Sequence, residues 1–147
     1  MTRATPGRRA RTLAGAFLLA ATAVLSTASV AVGAPVERTC HIREGVTHQD
    51  TLGNAFTKDL YCENSPGKLY ARASFVAPVT GMLNSTTSWF VCWTMGEPHP
   101  GGNNVWYYTQ GDETVQMPSI DGWGTIPANH LWTDQDPYPG LPRCPWW

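Results

Sequence analysis

The stretch from Trp89 to Leu131 constrains the fold of this chain more than any other. It consists of short segments rich in aromatic and β-branched residues, separated by glycine, proline and asparagine. One segment reads Trp-Phe-Val-Cys-Trp-Thr at 89–94, and another reads Val-Trp-Tyr-Tyr-Thr at 105–109. Short strands that alternate with turn residues are typical of an antiparallel sandwich or barrel. The stretch therefore predicts an all-β domain.

More strands are predicted on either side of these two segments. They are expected at 68–73, 79–83, 122–126 and 131–133, with one helical turn at 127–130. Because side chains alternate along a strand, Trp89, Val91 and Trp93 are expected on one face, and Trp106 and Tyr108 on one face of the next strand. Residues 110–121 are polar and acidic and predict a loop, and 134–147 are proline-rich and predict coil.

The N-terminus has the composition of a secretory leader. Four arginines within residues 3–11 precede an uncharged run at 13–32, and this run ends in small residues such as Ser29 and Ala31. This order is typical of a signal peptide, with cleavage after Ala31, and an uncleaved membrane anchor is the alternative. We therefore expect a secreted protein whose mature part begins at residue 32.

The mature part is acidic. Residues 32–147 contain six Lys and Arg against eleven Asp and Glu, which gives a net charge of −5. Nucleic-acid binding requires clustered basic residues, and so does attraction to an anionic membrane surface. We expect neither kind of partner, and we expect a monomer.

All four cysteines, Cys40, Cys62, Cys92 and Cys144, lie in the mature part. An even number in a small exported chain predicts disulfides, and three pairings are possible. We favour Cys40–Cys62, which keeps the N-terminal segment local, and Cys92–Cys144, which joins the centre of the domain to its end. A metal site is the competing interpretation, but no Cys-x-x-Cys pair is present and the histidines are scattered, so we expect no metal and no cofactor.

Three segments resemble bacterial SH3-like domains of small secreted actinomycete proteins. Residues 69–83 are similar to the opening strand, loop and second strand, 104–108 to the central tryptophan strand, and 124–131 to the closing Gly-x-x-Pro-x-Asn segment, with His130 in place of the usual tyrosine. The chain departs from the family after Arg72, where Ala-Ser-Phe replaces a Gly-Pro motif. The resemblance implies a small SH3-like β-barrel at 68–144, preceded by an N-terminal disulfide-bridged appendage at 32–67 and followed by a tail at 145–147.

The resemblance also implies a function. Such modules bind cell-wall peptide or peptidoglycan, or another extracellular protein, without catalysis. The corresponding groove would lie among the first loop, the loop before the central strand and the Pro-x-Asn turn. The residues nominated for ligand binding are Tyr70, Trp106, Tyr108, Trp123, Pro127 and Asn129. Packing in the core is the competing explanation for each of these rings.

Two other functions are compatible with the sequence. A secreted protease inhibitor is the main alternative, with the loop Glu97–Gly101 entering a protease cleft. Its central residue, His99, lies between two prolines and is expected to be exposed. A hydrolase using Asp134 and Asp136 is a more distant hypothesis, because acids beside proline and glycine are ordinary turn residues. No catalytic or phosphate-binding motif is present, so we expect no enzyme activity.

Overall fold

The computed structural model describes residues 40–146 of the chain. This range contains nine β-strands and two 3₁₀ turns, Pro118–Ile120 and Ala128–His130, and no α-helix. The strands are β1 (His41–Gln49), β2 (Ala55–Glu63), β3 (Gly67–Tyr70), β4 (Val79–Leu83), β5 (Thr87–Phe90), β6 (Cys92–Met95), β7 (Val105–Gln110), β8 (Glu113–Thr114) and β9 (Trp123–Pro127).

The strands form two antiparallel sheets. The first has the order β1-β2-β5, and the second has the order β6-β7-β9-β3-β4-β8. Within each sheet the paired strands run antiparallel. The all-β class predicted from sequence is confirmed, while closure into an SH3-like barrel stays a prediction.

The N-terminal segment is more regular than expected. The sequence analysis assigns no strand to the appendage at 32–67, but β1 and β2 form a hairpin of two nine-residue strands there. β2 also pairs with β5, and its Leu60 and Cys62 are fully buried. The alternation of apolar and polar residues along β2 is interrupted because Lys58 lies on the same side as Leu60 and Cys62. The expected Cys40–Cys62 disulfide is present.

β5 and β6 are separated by one residue, Val91, and belong to different sheets. Val91 belongs to neither strand, and its backbone N–H donates to the carbonyl of Tyr108 in β7 (2.9 Å). Alternation is broken at this point: Trp89 packs against the cluster that contains Trp123, and Trp93 packs against the cluster that contains Phe90. The prediction that Trp89 and Trp93 share a face is therefore wrong, because regular pairing is interrupted between them.

The buried side chains form two clusters on opposite sides of β7. Tyr107 belongs to the larger cluster, with Leu60, Leu69 and Phe90, among others. Its neighbour Tyr108 belongs to the smaller cluster, which also contains the Cys92–Cys144 disulfide. Since consecutive side chains of a strand point to opposite faces, the second sheet is covered on both sides at this strand.

The C-terminal segment is coil, as expected, but it is attached to β6. The N–H of Trp93 donates to the carbonyl of Pro142 (3.1 Å), and the N–H of Cys144 donates to the carbonyl of Trp93 (2.9 Å). The Cys92–Cys144 disulfide joins the same two segments, so the expected pairing is confirmed. Beyond it, the half-buried Trp146 contacts the rings of Phe56 and Tyr108.

The predicted leader at 1–31, the first residues of the mature part at 32–39 and Trp147 lie outside the described residues. Within 40–146, no helix is long and apolar enough to cross a membrane. The loop at 110–121 contains two short elements that the sequence did not predict, β8 and a 3₁₀ turn. The helical turn expected at 127–130 is the 3₁₀ turn Ala128–His130.

Candidate functional site

Five of the six residues nominated for ligand binding lie on one face of the second sheet. Directly paired residues of antiparallel strands share a face. Trp106 pairs with Pro127, Tyr108 and Tyr70 both pair with Thr125, and Gln110 pairs with Trp123. The face is therefore common to Tyr70, Trp106, Tyr108, Trp123 and Pro127, and it is the face predicted to hold Trp106 and Tyr108 together.

These residues divide between two depressions at opposite ends of β9. Trp123 begins the strand and Pro127 ends it, so the two side chains are separated by about 13 Å at the usual rise per residue. Tyr70 and Pro127 line the first depression, and Tyr108 and Trp123 line the second. The set nominated from sequence is thus not a single contact surface.

The first depression, here called the Tyr70 groove, has a volume of about 330 Å³. Phe75, which the sequence did not nominate, is 42% exposed beside it, and Val76 at the tip of the same loop is 81% exposed. The groove is lined by Pro66, Gly67, Lys68, Tyr70, Phe75, Met82, Pro127 and His130. Its walls are mainly rings and apolar side chains, with one ammonium group and one imidazole.

Three aromatic rings are packed together at this groove. Tyr70 and Phe75 meet edge to face at 5.8 Å, and Phe75 lies 4.9 Å from Trp106. Trp106 is fully buried, and its Nε1–H donates to the carbonyl of Glu97 (2.9 Å). Trp106 therefore supports the two outer rings from below and does not line the groove.

The loop that carries Phe75 is held in place by Glu97. One carboxylate oxygen of Glu97 accepts the hydroxyl of Ser74 (2.8 Å), and the other accepts the backbone N–H of Phe75 (2.9 Å). The N–H of Glu97 donates in turn to the carbonyl of Ala73 (2.9 Å). The bond from the Phe75 N–H, followed by that from Ser74, lowers the pKa of Glu97. Phe75 is thus exposed but positioned.

His130 is part of the lining of the Tyr70 groove, whereas its neighbour Asn129 lies elsewhere. The half-buried imidazole of His130 lies 3.0 Å from the hydroxyl of Ser65 through Nδ1, and burial lowers its pKa. Asn129 does not line the groove: it lies beside Gly101, where an added Cβ would come within 2.7 Å of the Asn129 Cβ. His130 places a compact polar ring at this wall of the groove.

The second depression, here called the Trp123 cavity, has a volume of about 300 Å³. It is lined by Thr51, Leu52, Ala71, Tyr108, Met117, Ile120, Trp123 and Trp146. The Tyr108 hydroxyl donates to Asp50 (3.3 Å), whose carboxylate also accepts two backbone N–H groups of its own turn. Burial, and then the charge of Asp50, raises the pKa of Tyr108. The Tyr108 hydroxyl, which lines this cavity, is therefore already paired.

Much of the lining of the Trp123 cavity was not identified from sequence. Leu52 and Met117 come from loops at 51–54 and 115–120, and Trp146 is brought in by the Cys92–Cys144 disulfide. No local pattern marks these residues, because their proximity depends on how distant segments pack. The signal that the sequence did offer is the presence of large apolar residues, such as Leu52 and Met117, in segments with the composition of loops.

The residues considered for catalysis have structural roles. Asp136 accepts the hydroxyls of Tyr107 and Thr133, both at 2.7 Å, and the amide of Asn103 at 3.2 Å. Burial, and then the bond to Asp136, raises the pKa of Tyr107. Asp134 is exposed and makes no hydrogen bond to Asp136 within residues 40–146. Asp136 therefore holds the side chains of Tyr107, Thr133 and Asn103 together.

His99 differs from its expected position. It was expected to be exposed, but it is only 6% exposed. Its Nε2 lies 3.0 Å from the carbonyl of Val105, and its Nδ1 accepts the N–H of Gly101 (3.2 Å). The ring turns inward because it satisfies the backbone of its own loop and contacts Trp106 edge-on at 6.3 Å.

A buried ion cluster lies in the first sheet and was also missed from sequence. The fully buried carboxylate of Asp59 accepts two hydrogen bonds from Arg43, at 2.8 and 2.6 Å, and lies 2.7 Å from Nε2 of His48. The His48 ring stacks on Trp89 at 4.0 Å. Burial alone would raise the pKa of Asp59, but the bonds from Arg43 and His48 outweigh it and lower that pKa.

The part of the chain that the structure describes contains neither a free cysteine nor a cluster of metal-ligating side chains. Its four cysteines are all in disulfides, so none offers a thiolate. No group of three or more His, Cys, Asp and Glu residues in 40–146 is arranged to hold a metal ion. Comparison with known proteins finds no matching family model, no matching curated protein and no matching solved structure.

Proposed function

We propose that this protein is a secreted, monomeric, non-catalytic binding module that holds an apolar or proline-containing peptide segment in the Tyr70 groove. Cell-wall peptide is the proposed source of that segment, and another extracellular protein is the second. The observation that carries the proposal is Phe75: a large ring, 42% exposed, fixed by the Glu97 hydrogen bonds at the edge of a groove.

A fixed exposed ring is suited to recognition. Exposed apolar rings that are already ordered lose little conformational freedom on binding, and aromatic-lined grooves accept proline-rich and apolar peptides. Tyr70 and Pro127 extend the same surface, and Val76 adds an exposed aliphatic group beside Phe75. The two disulfides support an oxidising, extracellular setting, and an SH3-like barrel is the proposed fold of the domain.

The Tyr70 groove is a better candidate than the Trp123 cavity. Ligand sites generally combine apolar walls with a few polar groups that orient the ligand. Lys68 provides such a group in the Tyr70 groove. In the Trp123 cavity the Tyr108 hydroxyl and Asp50 are bonded to each other and to backbone, so they are not available to a ligand.

A protease inhibitor is the alternative function. The loop Glu97–Gly101 is rigid, as an inhibitory loop must be, because Glu97 and His99 both bond to neighbouring backbone. However, the central side chain, His99, is buried and not displayed to a protease. A panel of secreted proteases assayed with and without the protein tests this alternative, and inhibition at stoichiometric concentration would favour it.

The proposed function is tested by retention on purified cell walls. Trp106→Ala is unsuitable because Trp106 is fully buried, and its loss would cost about 3–5 kcal/mol of stability. Phe75→Ala is the test variant, since it removes an exposed ring. We expect the wild type to sediment with walls and Phe75→Ala to bind more than about fivefold more weakly, as alanine at an anchoring contact costs over about 1 kcal/mol.

Two further variants locate the site. Met95→Ala is the matched control, because Met95 is 48% exposed and lines neither depression. Leu52→Ala removes an apolar side chain of the Trp123 cavity that is 74% exposed. Loss of binding in Leu52→Ala but not in Phe75→Ala would move the site to that cavity. If the wild type is not retained, cell-wall peptide is excluded as the ligand.

A further inference from the structure

Lys68 differs from the other basic residues of the described chain. Among the Lys and Arg residues of 40–146, only Lys68 has no charged partner and no aromatic contact in the structure. Arg43 bonds to Asp59, Lys58 to Glu44, Arg143 lies over the Trp93 ring, and the charge of Arg72 acts on Glu97. Lys68 is exposed on β3 and lines the Tyr70 groove.

The surroundings of Lys68 favour an anionic partner from outside the chain. No Asp or Glu lines the Tyr70 groove, although the mature protein carries a net charge of −5. The cross-strand neighbour of Lys68 is Met82, and the next residue on its side of β3 is Tyr70. The exposed ammonium group of Lys68 thus lies beside apolar walls and forms no salt bridge within residues 40–146, with Glu113 two strands away on the same face. Such a group attracts a complementary charge in the ligand and sets its orientation.

We propose that the Tyr70 groove selects a peptide in which a carboxylate lies next to an apolar or proline residue, with Lys68 binding the carboxylate and Phe75 and Tyr70 binding the apolar residue. This inference rests on the proposed function, because it names the ligand class of the same groove. The carboxylate can be a free C-terminus or an acidic side chain.

A carboxylate fits the groove better than a phosphate. Phosphate sites in proteins generally use arginine forks or clusters of backbone N–H groups. The lining of the Tyr70 groove includes no arginine, and His130, the other ionisable nitrogen base there, has a lowered pKa because of burial. One lysine supplies a single point charge, which matches one carboxylate beside an apolar group.

The test uses four N-terminally labelled peptides in fluorescence anisotropy with the purified protein. The neutral probe is Ala-Pro-Leu-Pro-Ala with an amidated C-terminus. The second has a free C-terminal carboxylate, and the third is amidated with Glu in the last position. The fourth is amidated with Lys in that position. At about 20 mM salt we expect at least one acidic probe to bind about two- to fivefold more tightly than the neutral one, and the Lys probe to bind more weakly.

Variants of two lysines assign the effect. Lys68→Met keeps the length and apolar stem of the side chain and should make the neutral and acidic probes bind equally. Lys58→Met is the matched control, because it removes a lysine that is paired with Glu44 on the other sheet, and it should retain the preference. Salt at about 500 mM should remove the preference in the wild type.

The outcomes separate the two proposals. If the neutral probe binds the wild type as tightly as both acidic probes, or if the preference persists in Lys68→Met, the carboxylate inference is wrong while the peptide groove stands. If all four probes bind the wild type and Phe75→Ala equally, the groove itself is wrong. The comparison of the second and third probes identifies which source of carboxylate is preferred.

Discussion

Two ion pairs in the same hairpin should differ widely in their contribution to stability. Arg43 pairs with Asp59 across β1 and β2, and Glu44 pairs with Lys58 one residue further along. Asp59 is fully buried, whereas the side chains of Lys58 and Glu44 are 34% and 68% exposed. Replacing Arg43 by Met would leave the buried carboxylate of Asp59 with one fewer partner. Replacing Lys58 by Met would leave the carboxylate of Glu44 unpaired but in contact with water.

The expected magnitudes follow from this difference in burial. Removing one partner of a fully buried ion pair costs about 3–5 kcal/mol. Because Arg43 is itself 35% exposed and His48 would still contact Asp59, we expect Arg43→Met to lower the free energy of unfolding by about 2–3 kcal/mol. An exposed pair contributes at most about 1 kcal/mol, so Lys58→Met should lose less than that.

The assay is equilibrium unfolding in urea with the disulfides intact, followed by tryptophan fluorescence. At an ordinary dependence on denaturant, a loss of 2–3 kcal/mol lowers the midpoint by about 1–2 M urea. The double variant Arg43→Met with Asp59→Leu should recover part of the loss, since a buried pair can be replaced by apolar groups at little cost. Equal losses in Arg43→Met and Lys58→Met would refute the reasoning, because burial would then not set the energies of these pairs.

Two other predictions concern Asp59 and Gly96. The folded-state pKa of Asp59 lies below its ordinary value of 3.8, so its ionised form contributes stability that is complete above that value and lost as the pH falls through the lower one. Thermal unfolding between about pH 6 and pH 2 should show this loss in the wild type, and Asp59→Asn should show a shallower acid limb. A Cβ on Gly96 would collide with the backbone and side chain of Ala73, in the loop that carries Phe75. Gly96→Ala should therefore cost about 1–3 kcal/mol and weaken binding in the Tyr70 groove; unchanged binding would mean that this loop does not form the site.

Two features of the second half of the chain, strand β7 and the Cys92–Cys144 disulfide, were predicted correctly, whereas the strand expected at 131–133 is only a single bridge at Leu131. β7 has alternating side chains between a glycine-rich turn and a polar loop, and its expected face is the observed one. The pairing of Cys92 with Cys144 was favoured because it ties the centre of the domain to its end, and this pairing is observed. The face of β7 follows from short-range alternation, whereas the disulfide joins residues 52 positions apart and was favoured on an argument about the whole domain.

The elements that were missed depend on long-range packing. The burial of Asp59 in the hairpin of β1 and β2 could not be predicted, because its partners, Arg43 and His48, come from the other strand. The inward turn of His99 depends on the carbonyl of Val105 across its loop. Phe75 was not nominated for the site because its exposure results from hydrogen bonds to Glu97, a residue 22 positions away. No window of sequence contains these relationships.

The interruption at Val91 has a consequence for how the protein unfolds. The same stretch of chain, 87–95, supplies an edge to the first sheet and then an edge to the second, and its side chains enter both hydrophobic clusters. The hydroxyl of Thr109 in the second sheet also donates to the carbonyl of Trp89 in the first (2.5 Å). Because this segment contributes side chains to both clusters, its departure would open both clusters to water. We therefore expect the two sheets to unfold as one cooperative unit. Loss of the ion cluster in the first sheet should then also destabilise the groove in the second.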